Sequence, residues 1–204
     1  MEAFIASTFF IMPRVKLFDE NEVLTKAMNL FWKQGYSATS VQDLVNCLGI
    51  NRASIYDTFG GKEQLFRKSF ELYRNINLEG VIHFFDNRPN VKIGFSELFH
   101  NAIQEDVLDK DNKGCFVVNT TTELIPNDES LLIILEKNKQ DFEEVFYNYL
   151  KKGQESGQLK TTHDLKSLAT LFYTLYNGIR VVSKTRPNKK ETADSINVAL
   201  SLLG

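Results

Sequence analysis

The stretch SVQDLVNCLGINRASIYDTFGGKEQLF, residues 40–66, carries Arg52, Tyr56 and Lys62 close together. A guanidinium can read a base edge in the major groove through two hydrogen bonds, while a phenol and an ammonium suit phosphate oxygens. Arg52 is therefore a candidate base reader, and Tyr56 and Lys62 are candidate phosphate contacts. Asn51, Ala53 and Ser54 beside them, with Thr39 and Ser40 at the start of the preceding helix, complete the candidate DNA-binding set. Catalytic or metal chemistry finds no comparable grouping. His83, His100 and His163 are paired neither with one another nor with Cys at metal-ligand spacing, and Glu97-x-x-His100 lacks the second copy that a di-iron site needs. The sequence also lacks a Gly-rich phosphate loop and a Gly-x-Ser-x-Gly elbow. The expectation is a protein that is not an enzyme and carries no metal or cofactor.

Two very short helices must position those side chains. Thr39 suits an N-cap, Gln42 stands three residues on as in a capping box, and Gly49 suits the left-handed residue after a helix end. These signals predict a helix over 40–48 with Val41, Leu44, Val45 and Leu48 as its apolar stripe. Gly49, Ile50 and Asn51 then turn the chain into Arg52–Thr58. There Ile50, Ile55 and Phe59 ask for burial, and Arg52, Ala53, Tyr56 and Asp57 face outward. Helices below about 12 to 15 residues are marginal in isolation, so this one must lean on its neighbours. The pattern fits a helix-turn-helix, whose second helix enters the major groove, and it also fits an ordinary corner of a helical bundle. Lys62 favours the first, because a cation at a helix start opposes the helix dipole unless an anion such as a DNA phosphate lies beside it.

Thr39, Val41, Leu44, Gly49, Ile50, Tyr56, Phe59, Lys62, Glu63 and Leu65 stand together, preceded by Ala27, Leu30, Phe31, Gly35 and Tyr36. In that spacing they resemble the DNA-binding domain of the tetracycline-repressor (TetR) family of bacterial transcription regulators, over about residues 19–70. The resemblance implies an all-α fold of about nine helices and a homodimer formed by the last two. It further implies a regulator, here expected to be a repressor, that binds double-stranded operator DNA and is released by a small-molecule effector. Two positions depart from the pattern: Gly61 stands where Ser or Thr commonly caps the fourth helix, and Cys47 where a small residue is usual. Gly is a tolerated cap, and Cys packs as a small hydrophobe.

The remaining sequence is consistent with an all-α chain. Its 204 residues are 43% hydrophobic and 25% charged, which is an ordinary globular composition. Periodic segments run at about 62–85, 92–106, 114–125, 128–156, 163–185 and 190–203, with no convincing strand. The 128–156 segment opens after Pro126 with Asn127 and Asp128 as cap, and carries Leu131, Leu135, Phe142, Val145, Phe146 and Tyr149 on one side. The expected organisation is an N-terminal extension and basic arm at 1–18, a three-helix helix-turn-helix domain at 19–66, and a larger ligand-binding and dimerisation domain at 67–204. MEAFIASTFFI is apolar, yet it has Glu where a signal peptide needs a basic residue and is too short to span a bilayer. Translation from Met12 would leave Arg14 and Lys16 as an arm for the minor groove or phosphates. No membrane partner is expected, and the expected location is the cytoplasm.

Two distant cysteines do not make a disulfide framework. Cys47 lies beside the stripe of the 40–48 helix and is expected in the core. Cys115 follows Lys113 and Gly114 at a helix start, surroundings that can make a thiol reactive. It is either a small packed residue or a redox-sensing thiol. The run from Gly114 to Thr120 is similar to a ligand-domain element of one TetR subgroup, some of whose members sense electrophiles or oxidants through cysteine.

Sixteen Phe and seven Tyr supply more aromatic surface than the DNA-binding helices use. Phe84, Phe116, Phe146, Phe172 and Tyr176, with Asn119, Thr120 and Glu123 from a polar helical run, are the candidate effector contacts. The alternative for the polar run is an exposed helix face. In 163–185, Leu168, Leu171, Phe172, Leu175, Tyr176, Ile179 and Val182 make a wide apolar surface, Gly178 permits close approach, and Ile196, Ala199 and Leu200 extend it. These two helices are the expected dimer interface. The 62–85 helix joins the groove-reading helix to the ligand domain, so a ligand packed near Ile76, Val81, Phe84 or Phe85 would swing the recognition helices off their spacing.

Charge distinguishes two classes of function. Net charge is −2, and from Met12 to Phe66 six basic residues face six acidic ones, so bulk electrostatic attraction to DNA is weak and binding depends on a dimer placing two recognition helices at once. A helical module that binds protein and keeps the helix-turn-helix as a structural corner is the alternative. Salt separates them: for a DNA-binding dimer, log affinity for the operator falls with log salt at a slope of about −0.9 per phosphate contact, whereas a protein partner shows a weaker dependence.

Overall fold

The computed structural model describes residues 18–108, 111, 113–125, 128–185 and 189–204. The expected arm with Arg14 and Lys16 lies outside the described residues, as do Pro126 and Asn127. The chain begins with α1 (Glu20–Gln34), α2 (Val41–Leu48) and α3 (Arg52–Phe59). The Asp19 carboxylate caps α1 by accepting from the amides of Asn21 (2.8 Å) and Glu22 (3.3 Å). The cap of α2 is Ser40 and not the expected Thr39. Ser40 Oγ accepts from the Asp43 amide (3.1 Å) while the Asp43 carboxylate accepts from the Ser40 amide (2.8 Å), so the capping box lies one residue later than Thr39 and Gln42 would place it. The reason is tertiary: Thr39 is fully buried and its hydroxyl donates inward to the Gly35 carbonyl at 2.6 Å. Gly49 takes the left-handed conformation (φ 69°), and Asn51 caps α3 by accepting from the Ser54 amide at 2.8 Å.

Next come α4 (Lys62–Asp86), α5 (Val91–Leu108), α6 (Phe116–Leu124), α7 (Glu129–Glu155), α8 (Leu165–Val182) and α9 (Lys189–Ser201). Every described element is helical. Side chains condense into two cores. One gathers Phe31, Leu44, Ile55 and Phe59 with Phe66 and Phe70, and it also takes Cys115 and Phe116 from the start of α6 and Leu131 from α7. The second gathers Phe85, Phe95, Phe99, Phe146 and Phe172 with residues of α9. Helix α4, about 37 Å long at 1.5 Å per residue, contributes its first half to one core and its second half to the other. Two arginines fasten it to α7: Arg67 pairs with Asp128 (2.8 Å), and buried Arg74 donates to Asn138 (3.1 Å).

Two expectations about burial are corrected. Cys47 is exposed, because it sits beside the α2 stripe of Leu44 and Leu48 and outside the core that those two enter. On α8, Leu168, Phe172, Tyr176 and Ile179 are buried within the protomer's own core, as are Ile196 and Leu200 on α9. The apolar residues that α8 and α9 leave exposed are Leu171, Val181, Val182 and Val198.

Glycine positions give a paired test of the packing. At Gly94 in α5 a methyl group would fall on the hydroxyl of Tyr149, which reaches the carbonyls of Arg88 (2.7 Å) and Asn90 (3.1 Å). Nothing lies within 4 Å of a methyl group added at Gly80 in α4. Gly94→Ala should therefore lose about 1–3 kcal/mol by overpacking, while Gly80→Ala should gain about 0.4–1 kcal/mol by restricting the unfolded chain. Denaturant unfolding of the two variants checks the opposite signs.

Candidate functional site

Helix α3 has too little apolar surface to be anything but a presented helix. Ile55 and Phe59 are buried, which turns Arg52, Ala53, Tyr56 and Asp57 to solvent. The Arg52 guanidinium lies over the Tyr56 ring, 5.7 Å from its centroid. Beside that ring stands Gly61, whose φ of 96° disfavours a side chain and where a Cβ would sit 3.0 Å from Tyr56 Cε1, displacing the ring by a few tenths of an ångström. The departure from a Ser or Thr cap at Gly61 thus preserves the seat of Tyr56. Ser40 and Asn51 are exposed and spend side-chain oxygens on helix caps, and Ser54 is half-buried. Hydrogen bonds from Ser40 hold the Asp43 carboxyl below its usual pKa, so the cap stays ionised. Of the expected DNA-binding set, Ser40, Asn51, Arg52, Ala53 and Tyr56 are exposed, whereas Thr39 is buried.

Lys62 is half-buried at the start of α4, with Nζ 4.3 Å from the centroid of the Tyr36 ring. Burial lowers its pKa, and the negative charges of Glu123 and Asp43 oppose that shift. The cation expected to lean on an external anion is thus partly stabilised from within by an aromatic face and two carboxylates.

Glu123 corrects a second expectation. Instead of entering a ligand pocket, its carboxylate crosses from α6 to the turn after α1 and accepts from the amides of Tyr36 (3.2 Å) and Ser37 (2.7 Å). The turn amides have no helical acceptor, which is what draws a carboxylate there. Gly35 is necessary to this contact: its φ is 83°, and a Cβ would lie 2.9 Å from Glu123 Oε2.

A cavity of about 540 Å³ lies between α1, α4, α5 and α8. Met28 and Trp32 of α1 wall it on one side and Ile76 and Phe84 of α4 on another, while Tyr176 and Arg180 of α8 close the floor. The segment before α6 is pinned against α1: the Trp32 indole donates to the Gly114 carbonyl (2.7 Å), Lys113 Nζ lies 4.3 Å over the Trp32 ring, and Lys33 pairs with Asp111 (2.8 Å). Burial pushes the phenols of Tyr73 and Tyr176 upward in pKa, so both remain neutral hydroxyls at physiological pH.

Phe84 and Tyr176 are the two expected effector contacts that line this cavity. Phe146 and Phe172 are packed fully inside the second core, and Phe116 and Thr120 are buried away from the cavity. Asn119 donates to the Lys113 carbonyl (2.7 Å) and accepts from Lys184 (2.8 Å), closing the loop before α6. Cys115 is buried at the N-cap of α6, with the Tyr73 hydroxyl 3.9 Å from its sulfur. Such burial is what a small packed residue has in common with a core hydrophobe. Sequence reasoning missed Trp32, Lys113 and Arg180. The available signal was Arg180, a charge inside the apolar run of α8, for which no solvated face was in evidence.

Residues 23–68 match the family model described as bacterial regulatory proteins, tetR family, and residues 96–197 match that of the tetracyclin repressor-like C-terminal domain. An HTH-type transcriptional regulator of Bacillus subtilis, YezE, is 30% identical over 94% of this chain and its own full length. The HTH-type transcriptional repressor ComR of Escherichia coli is 30% identical over 84% of this chain and 82% of ComR. Among solved structures, a cysteine-substituted TetR family regulator, CifR, complexed with 26-bp double-strand operator DNA, superposes with a TM-score of 0.81. It is 26% identical, covering 94% of this chain and all of CifR.

The Glu123 bridge is testable without DNA. Glu123→Ala should cost about 1.5 kcal/mol of stability, at the low end for a hydrogen-bonded charge because Ser37 is exposed. Amide hydrogen exchange should accelerate selectively at Tyr36 and Ser37; unchanged exchange there would show that the bridge is not maintained in solution.

Proposed function

The chain belongs to the TetR family of bacterial transcriptional regulators, and we propose that it is a repressor that binds operator DNA as a homodimer and is released when a small molecule occupies the cavity beside α1. The observation that carries the DNA-binding part is α3 itself. A helix that buries only Ile55 and Phe59 and displays Arg52, Ala53 and Tyr56 is built for an external surface, and operator DNA is what CifR, similar over nearly the whole chain, holds in its complex. We assign residues 1–18 to an arm, 19–66 to DNA binding and 67–204 to ligand binding and dimerisation. Arg52 reads a base edge, while Tyr56 and Lys62 contact phosphates, with Ser40, Asn51, Ala53 and Ser54 in the same surface.

Dimerisation uses what α8 and α9 leave uncovered. Leu171, Val181, Val182 and Val198 are exposed, and a Cβ added at Gly178 would meet nothing within 4 Å from the rest of the protomer, so a partner helix can approach closely there. Among the described residues no helix is long and apolar enough to cross a membrane. A cytoplasmic regulator without catalytic activity is the role we infer.

The cavity supports the release step because α1 and α4 both wall it. A ligand in contact with Trp32 and Phe84 bears on the helices that hold α3. Two recognition helices must keep about 34–36 Å apart to enter successive major grooves, and a typical allosteric coupling of about 1–3 kcal/mol suffices to disturb that spacing.

Selection from random duplexes yields the operator, and three variants then separate the roles. Arg52→Ala should cost about 1–3 kcal/mol and relax one operator position, whereas Lys62→Ala should weaken specific and random duplexes alike. Equal loss on both kinds of DNA for Arg52→Ala would remove its base-reading role. The double variant Leu171→Glu with Val182→Glu changes exposed positions and should leave the protomer folded but monomeric in sedimentation, with operator binding lost; a dimer that survives it would place the interface elsewhere.

A further inference from the structure

The cavity floor holds a buried guanidinium in an otherwise apolar part of α8. Arg180 Nη2 donates to the Tyr176 hydroxyl (2.7 Å) and to the carboxylate of Glu105 (2.9 Å). The two partners of that ion pair are unequal: the Arg180 side chain is 8% exposed, and that of Glu105 is 64% exposed at the cavity mouth. We propose that this cavity binds a planar aromatic anion, whose carboxylate takes the place of Glu105 on Arg180 and whose ring lies among Trp32, Tyr73, Phe84 and Tyr176. The proposal rests on the reading of this cavity as the effector site and names the chemistry of its ligand.

Three ligand charges can be compared on physical grounds. An organic cation would be stacked well by the aromatic walls, but it would meet Arg180 below and Lys113 at the rim, both lining residues. A neutral apolar ligand would leave the guanidinium facing it while gaining nothing from the charge. An anion gains a charge-assisted and potentially bidentate bond to a planar fork. It loses little by expelling Glu105, since an exposed carboxylate returns to water at small cost. The polar groups of Asn77 and Asn101 lie in the same lining and can orient the remainder of the ligand. A volume of about 540 Å³ suits a molecule of two or three fused rings. Because Trp32 belongs to α1 and lies against Gly114 and Lys113, ring insertion there acts directly on the helix that supports the DNA-reading pair.

Calorimetric titration of the full chain with naphthoate, naphthamide and naphthylmethylammonium, which share a ring and differ in charge, tests this. Naphthoate should bind at least about tenfold tighter than naphthamide, as expected for one hydrogen bond to a charged group, and the cation most weakly. Removing buried Arg180 endangers the fold, so the decisive variant is Glu105→Gln at the exposed partner. It should strengthen naphthoate binding by about threefold to fivefold, the small cost of expelling an exposed carboxylate, and leave naphthamide unchanged. Equal binding of naphthoate and naphthamide, or no gain from Glu105→Gln, would overturn the proposal. Repeating the titration with saturating operator separates it from the effector reading. Naphthoate binding that obeys the charge order but is indifferent to operator supports the anion site and removes the effector role, whereas operator release by naphthamide as readily as by naphthoate keeps the effector role and removes the anion site.

Discussion

One helix enters both cores, and the remaining architecture is arranged around that fact. Leu65, Phe66 and Phe70 of α4 are buried with α1 to α3, and Val81 and Phe85 are buried with α5, α7 and α8. A packed helix cannot bend freely, because protein interiors are as dense as organic crystals. Its first turn carries Lys62 and packs beside α3, while its second half is held by the other core. Arg67 and Arg74 tie the first half of the same helix to α7.

The contacts of α6 add a second connection. Phe116 makes edge-on contacts with Phe66, Phe70 and Tyr73, inside the core that supports α3. Glu123 at the other end of the helix holds the turn between α1 and α2. A helix belonging by sequence position to the C-terminal part is thus packed into the N-terminal core at both ends. The cavity is lined by α4 and by Lys113 and Gly114, which directly precede α6.

Electrostatics has a modest and local part in this protein. The chain carries a net charge of −2, and the surface around α3 includes Asp43 and Asp57 as well as Arg52. Attraction to a phosphate backbone is proportional to the number of phosphates neutralised, so a chain whose cations are balanced by acids has little bulk attraction to DNA. The same economy is visible at Lys62, whose charge is shared between the Tyr36 ring and the field of Glu123.

Periodicity and capping chemistry in the sequence determined the helical class, the short second and third helices, the outward set on α3 and the long α4. These are local properties: a 3.6-residue repeat and a side chain within three residues of an amide are both legible along the chain. The tertiary structure decided which of two adjacent hydroxyl residues caps α2, because only packing shows that Thr39 is enclosed and Ser40 is not. It also decided that Glu123 reaches a turn, that Phe116 joins the N-terminal core, and that Tyr176 and Arg180 face a cavity while Phe172 does not. Helix α8 has apolar residues on more than one side, and a repeat pattern cannot state which side its own chain covers and which is left exposed. That choice depends on where α5, α7 and α9 lie, and on residues far apart in the sequence meeting in space.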